Sequence, residues 1–298
     1  MQKGRLPAWI PWALLAALAG GLSLAGACSR LKMVLPLAPW YAEQQILQIL
    51  PPLTTPQHER LKLDLKNYWR WNKSTMMPAY ARVLRGAADS VAEGAAAKPL
   101  LTAPFIELYA QSIEPLIKPA TVLLLSLDTR QIDGLQRHFQ ERQAEARQRY
   151  LADPEATLQR RVKSLRTTLE YFAGPLNPAQ QQRLLELSRQ FPIPYQAWLT
   201  DRARREAQLL TALREKRSEA DVQALLRAWW LRSRTGDGDR EEWQWDDAAL
   251  QKQAQDLVFL LEPAQRVRAQ GKLMELAAQL EALARDPDAA PRPAAGGT

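Results

Sequence analysis

Leu53-Thr54-Thr55-Pro56-Gln57, followed by Leu61, Leu65, Tyr68 and Trp69, is the stretch that decides the fold class of this chain. Thr54 is a helix cap whose hydroxyl can accept from the first backbone N–H groups, and Gln57 three residues on can reach back to the cap's own N–H. Pro56 falls in the first turn, where a missing N–H costs nothing. The apolar residues that follow advance by four, three and one, which draws one face of a helix. The device recurs as Leu127-Asp128-Thr129-Arg130-Gln131, Leu176-Asn177-Pro178-Ala179-Gln180 and Leu261-Glu262-Pro263-Ala264-Gln265. The leading leucines are 74, 49 and 85 residues apart, so this is no regular solenoid. The plain explanation is one good helix start used four times.

Outward from these starts, every segment has a helical face. Leu135, Phe139, Ala146 and Tyr150 mark one, and Leu158, Val162, Leu165, Leu169 and Phe172 form a near-heptad seam. Leu184, Leu187 and Phe191 continue the core to Pro192-Ile193-Pro194, and Trp198 with Leu209, Leu210 and Leu213, then Val222, Leu225, Leu226 and Trp229, supply two more helices. Residues 100–125, broken by Pro104, Pro115 and Pro119, predict short helices in the interior. No run of alternating β-branched residues is long enough for a sheet. The expectation is an all-α, irregular multi-helix bundle. Its main domain spans 53–285 with a sub-boundary near 126, after an N-terminal region and first helix at 28–52. The Pro-, Ala- and Gly-rich tail 286–298 has too little apolar surface to fold and is expected to be disordered.

The first 29 residues set a compartment. Lys3 and Arg5 precede an apolar run from about Leu6 to Leu24, and small residues lead to Cys28, the chain's only cysteine. That order predicts a secretory signal over 1–27. Ending on a lone cysteine, it resembles a bacterial lipoprotein signal, in which the thiol of Cys28 receives the lipid and becomes the mature N-terminus. Two other readings stay open: an ordinary cut after Ala25-Gly26-Ala27, because Ala25 stands where a Leu is usual, and an uncleaved anchor. Ser29, not Asp, after the cysteine favours an outer-membrane lipoprotein facing the periplasm.

Charge is unevenly spread. Residues 130–217 hold 17 Lys/Arg against 10 Asp/Glu, whereas 237–247 hold six acids and one Arg. Arg outnumbers Lys in the basic block, which suits forked contacts with carboxylate or phosphate. Such charge excludes little by itself, since a solvated, salt-bridged helical surface has the same composition. For an exported chain the partners it fits are anionic lipid or envelope polymer rather than nucleic acid.

Catalytic and metal motifs are missing. His58 and His138, the two histidines, stand alone in polar helical stretches. There is no G-x-S-x-G, no S-x-x-K and no phosphate-cradling glycine loop. Glu141/Glu145 and Asp246/Asp247 are the available acid pairs, and acids at helical spacing among arginines are salt-bridge partners in the ordinary case. No cofactor or metal is expected, and the chain is expected not to be an enzyme. Tryptophan is the other unusual component, with eight beyond residue 27. Trp198 with Arg202 and Arg205 on one helix, and the adjacent Trp229 and Trp230, are the candidate partner-binding residues, because Trp and Arg dominate binding surfaces. Of two neighbouring tryptophans on a helix, one is expected to face outward.

These features together resemble an exported helical lipoprotein family known as domain of unknown function 6279. The residues that carry the likeness are Leu53-Thr54-x-x-Gln57, Leu61, Leu65, Trp69, Pro78-x-Tyr80, Leu84, Gly174-Pro175-Leu176 to Gln180, and Trp198, Arg202 and Arg205. The family implies export and a helical body, and no activity. The Leu-Thr-x-x-Gln start is also similar to that of periplasmic chaperones of the Spy and CpxP type, which implies binding of envelope proteins. The expectation is therefore a lipoprotein held to the membrane through Cys28 that binds a protein or envelope polymer, as a chaperone or assembly factor or as a scaffold on peptidoglycan or anionic lipid.

Overall fold

The computed structural model describes residues 38–94, 102–231 and 247–286. The expected signal at 1–27, Cys28, Trp243, Trp245 and the residues beyond 286 lie outside them. Everything described is helix and connection, with no strand, so the fold is all-α. The helices are α1 (Ala38–Leu47), α2 (Thr55–Trp71), α3 (Met77–Glu93), α4 (Thr102–Leu125), α5 (Thr129–Leu151) and α6 (Pro154–Ala173). After them come α7 (Pro178–Gln190), α8 (Tyr195–Arg214), α9 (Glu219–Trp230), α10 (Asp247–Phe259) and α11 (Pro263–Arg285). Among the described residues no helix is long and apolar enough to cross a membrane.

Prolines shape two places in the chain, and the second departs from the sequence expectation. Residues Asn72–Met76 wind as a π-helix that joins α2 to α3 without a break. The Met77 N–H bonds to the Asn72 carbonyl, and this wider turn accommodates Pro78, which has no N–H to give. Pro115 and Pro119 lie inside α4, which runs through them. Each proline removes one helical bond, at a cost of roughly 3 kcal/mol in a helix interior. Burial on both sides offsets it, since Ile113, Ile117 and Thr121 are all buried and Thr121 Oγ1 donates to the Ile117 carbonyl at 2.8 Å. Tertiary packing overrides local propensity here.

Among the described residues the buried apolar side chains form four clusters. One is built from α4, α5, α8 and α9 around Ile117, Leu135, Leu213, Val222 and Leu226. A smaller one, Leu61, Leu65 and Leu123, seats α1 on α2 and α4. At the other end, Ala173, Leu176, Leu184, Val258, Leu261 and Ala269 join α6, α7, α10 and α11 to Val91 of α3. Between them Met76, Met77, Tyr80 and Leu108 pack on Ala277, Leu280 and Leu283 of α11. The continuous α2–π–α3 rod thus runs from the first pair of clusters to the last. Each fully buried Leu or Ile contributes about 1.5–3 kcal/mol relative to an exposed one, and this, not helix propensity, holds the bundle.

Candidate functional site

The four helix starts meet in two pairs. Gln57 of α2 faces Gln131 of α5: Gln57 Nε2 donates to Gln131 Oε1 at 3.1 Å, and Gln131 Nε2 donates to Gln57 Oε1 at 2.9 Å. Each oxygen also accepts from its own cap, Thr54 N–H at 2.8 Å and Asp128 N–H at 3.0 Å. Each amide nitrogen reaches the carbonyl two residues before the partner's cap, Ser126 at 2.8 Å and Pro52 at 2.9 Å. Gln180 and Gln265 repeat the arrangement at α7 and α11, with amide bonds of 2.6 and 3.2 Å. Their oxygens accept from the Asn177 and Glu262 N–H groups, and their nitrogens donate to the Leu260 and Pro175 carbonyls. All four glutamines are buried. The recurrent motif is therefore more than a cap used four times: it is a mutual clasp that fixes one helix start against another.

The predicted partner-binding residues divide by burial. Trp198 is half-buried at the start of α8, edge-on to Tyr150 at 6.0 Å, with the Arg202 guanidinium 6.0 Å from its ring. Arg202 also pairs with Glu206 at 2.7 Å. Arg205 is turned inward and only 7% exposed, paired with Asp201 at 2.8 Å and donating to the Ala228 carbonyl of α9. Asp201 pairs with Arg204 as well, and Glu206 accepts from Gln143 of α5 at 2.7 Å. This buried ionic web ties α8 to α5 and α9. Trp229 and Trp230 both pack on the first apolar cluster, where a single outward tryptophan was expected. Trp229 meets Phe139 edge-on at 6.4 Å, and the Trp230 carbonyl accepts from the Tyr109 hydroxyl. Rings this broad, at the end of a helix, bridge the ~100° between neighbouring positions.

Around Trp198 the helix ends bring in residues that periodicity did not single out. The turn at Asp153-Pro154 folds α6 back along α5, so Arg149 and Tyr150 lie beside Arg160 and Arg161. The Pro192–Pro194 turn then delivers Tyr195. Tyr150 and Tyr195 stack with centroids 4.7 Å apart and planes 9° apart. The Arg149 guanidinium lies 5.8 Å from the Tyr150 ring, and Arg160 donates to the Arg149 carbonyl and to Thr157 Oγ1. Arg149, Arg160 and Arg161 form no ion pair with a carboxylate among the described residues. Arg161 Nε and Nη2 are buried without a hydrogen-bond acceptor there, and burial lowers its guanidinium pKa. Burial raises the Tyr195 phenol, while Arg161, Arg160 and Arg149 pull it down through space. The signal for this junction was an Arg-Tyr pair before a helical hairpin and an Arg-Arg pair about two turns after it.

A concavity lies at the first glutamine pair. An open cleft of about 550 Å³ runs between residues 49–54 and the start of α5, with Arg130, Arg137, His138 and Glu141 along one wall. Gly134 forms its floor, because a Cβ there would sit 3.1 Å from Pro51. Burial is the main cause of the lowered His138 pKa, aided by Arg142. His58, the other histidine, bonds Glu43 at 2.7 Å and ties α1 to α2. Among the described residues no group of three or more His, Cys, Asp or Glu comes together as a metal site would need.

No curated protein and no solved structure matches the chain. A family model does match, over residues 52–230, a span that takes in Gln57, Gln131, Gln180 and the whole arginine–tyrosine junction and stops before α10 and α11. The chain belongs to this family of unknown function, DUF6279.

Proposed function

We propose that this protein is a non-enzymatic bacterial envelope lipoprotein, exported by its first 27 residues and held to the outer membrane through a lipid on Cys28. Its helical body binds another envelope component through the basic segment formed by α5, α6 and the start of α8. The observation that carries the reading is the stacked Tyr150–Tyr195 pair with Trp198 edge-on to it, bordered by Arg149, Arg160 and Arg161, with no carboxylate paired to those three guanidinium groups among the described residues. Thirteen other described arginines, among them Arg60, Arg142, Arg183 and Arg202, are paired with acids, whereas at this junction three guanidinium groups without an ion pair lie beside stacked aromatic rings, which leaves cationic capacity for a partner. The Leu-Thr-x-x-Gln likeness to Spy- and CpxP-type chaperones supports a chaperone or assembly role. The basic segment supports a scaffold role on anionic lipid or peptidoglycan.

A photo-crosslinking residue placed at Trp198 in the full chain, in cells, is expected to capture an envelope component that the same residue at Leu63, exposed on α2, does not. Equal capture from both positions overturns the binding surface. Slowed aggregation of an unfolded client by the purified full chain would favour the chaperone role, and salt-sensitive retention on peptidoglycan or anionic vesicles the scaffold. Anchoring has its own test. The natural protein should carry acyl mass on Cys28, and a Cys28→Ala variant should leave the membrane fraction. Unchanged partition and no acyl mass would remove the lipoprotein reading.

A further inference from the structure

Resting on that reading, we infer that the junction of α5, α6 and α8 is a binding site for a phosphate group, with Arg161 as its central ligand and Arg149 and Arg160 beside it. Buried polar groups in folded proteins are almost always bonded, and a buried cation is paired or costly. Arg161 breaks both rules: two of its guanidinium nitrogens are buried without an acceptor among the described residues. No other described residue has two such atoms. The neighbours sharpen the point. Three guanidinium groups act on the Tyr195 hydroxyl, and the acids nearest in sequence are engaged elsewhere: Glu155 pairs with Arg189 at 3.7 Å, Glu145 pairs with Arg142 at 3.1 Å, and Asp153 Oδ1 accepts from the Ala156 N–H at 2.8 Å. Positive charge is thus concentrated beside the two stacked tyrosines, with no carboxylate paired to it among the described residues.

The chemistry of the donors selects the ligand. A carboxylate offers two oxygens and one charge, enough for a single fork. A phosphate monoester or diphosphate offers three or more oxygens and about two charges or more, which suits three neighbouring guanidinium groups. The Arg161 side chain, half-buried near Tyr195, would be drawn toward an anion entering from solvent. That exchanges unbonded N–H groups for charge-assisted bonds, while Tyr150, Tyr195 and Trp198 wall off water and keep those bonds strong.

The test uses the full chain in mild detergent, titrated by calorimetry with pyrophosphate, and the same chain mixed with vesicles of phosphatidic acid or of phosphatidylcholine. The expected result is saturable binding that depends on Arg161. Arg161→Gln should weaken it at least tenfold, whereas Arg183→Gln, which removes an exposed arginine on α7, should leave it unchanged. Arg161→Gln should not lower the melting temperature, which separates a ligand role from a structural one. Arg161-dependent binding of pyrophosphate alone assigns free phosphate as the source, and preference for phosphatidic acid over phosphatidylcholine assigns a lipid headgroup. If the wild type and Arg161→Gln bind equally, or Arg183→Gln weakens binding as much, the site is overturned. Should crosslinking from position 198 persist in that case, the envelope-binding reading stands without it; should that fail too, both fall.

Discussion

The glutamine clasps and the arginine–tyrosine junction are both polar clusters set among apolar helix ends, and they are built in opposite ways. At each clasp two buried amides exchange bonds with one another, with two caps and with two loop carbonyls. At the junction two buried guanidinium nitrogens have no acceptor among the described residues. Buried polar groups that are fully bonded fix a structure, and ones left short are stored at sites of function. The comparison assigns the clasps to folding and the junction to binding, and variants can break that assignment.

The largest effect is expected in the ionic web below the junction, which is bonded like the clasps. Asp201→Ala leaves the buried Arg205 without its carboxylate. Removing one partner of a buried pair costs about 3–5 kcal/mol, so denaturant unfolding should show a loss of that size. Replacing both residues by apolar ones of similar volume should recover most of it. A loss below about 1 kcal/mol for Asp201→Ala would show that the web is not sealed from water.

Next come the clasps. Gln57→Ala removes a cap acceptor and leaves Gln131 and the Ser126 carbonyl short of a partner. With about 1–3 kcal/mol per unsatisfied buried group, a loss of about 2–4 kcal/mol is expected. Gln57 and Gln131 should be coupled by about 0.5–3 kcal/mol in a double-mutant cycle, while Gln57 and Gln180, in separate clasps, should add within about 0.5 kcal/mol. Additivity of the first pair would reduce the motif to a capping box.

How much of this the sequence disclosed follows from the range of each interaction. Caps and helical faces are local, so the four starts and the all-α class were legible in Leu53–Gln57 and its three repeats. The pairing of Gln57 with Gln131 spans 74 residues, and no local rule joins them. Arg205 has the same residue type and spacing as Arg202, yet one is buried and the other bridges Trp198 and Glu206; only the rotation of α8 against α5 and α9 decides which. The prolines of α4 gave the wrong break because their cost is local and the burial that offsets it is not. Tyr195 and Arg161 were missed because the turns that bring them together, at 152–153 and 191–194, are separated by two whole helices and no local rule joins them.

On the junction itself the expected change is smaller and of the opposite sign. Arg161→Gln removes a desolvated cation that has no bonding partner among the described residues, so the ligand-free protein should hold its stability or gain up to about 1 kcal/mol. A clear loss, measured by urea midpoint, would move Arg161 to the structural side of the comparison.

His138 offers the smallest and most gradual test, because it stands between the two cases. It is half-buried in the cleft beside the first clasp, with Arg142 and Arg202 disfavouring its charge and Glu141 and Glu145 favouring it. Burial comes first, and the folded-state pKa lies below the ordinary value of about 6.5. The unfolded chain therefore takes up the proton at higher pH than the folded one. This contribution to stability is complete above about pH 6.5 and is lost as the pH falls from there through the folded pKa. Urea midpoints of the wild type should decline between pH 7.5 and 5, and those of His138→Gln should decline less. If the two profiles coincide, the imidazole is solvated in both states, and the cleft wall is an open surface with no part in the clasp beneath it.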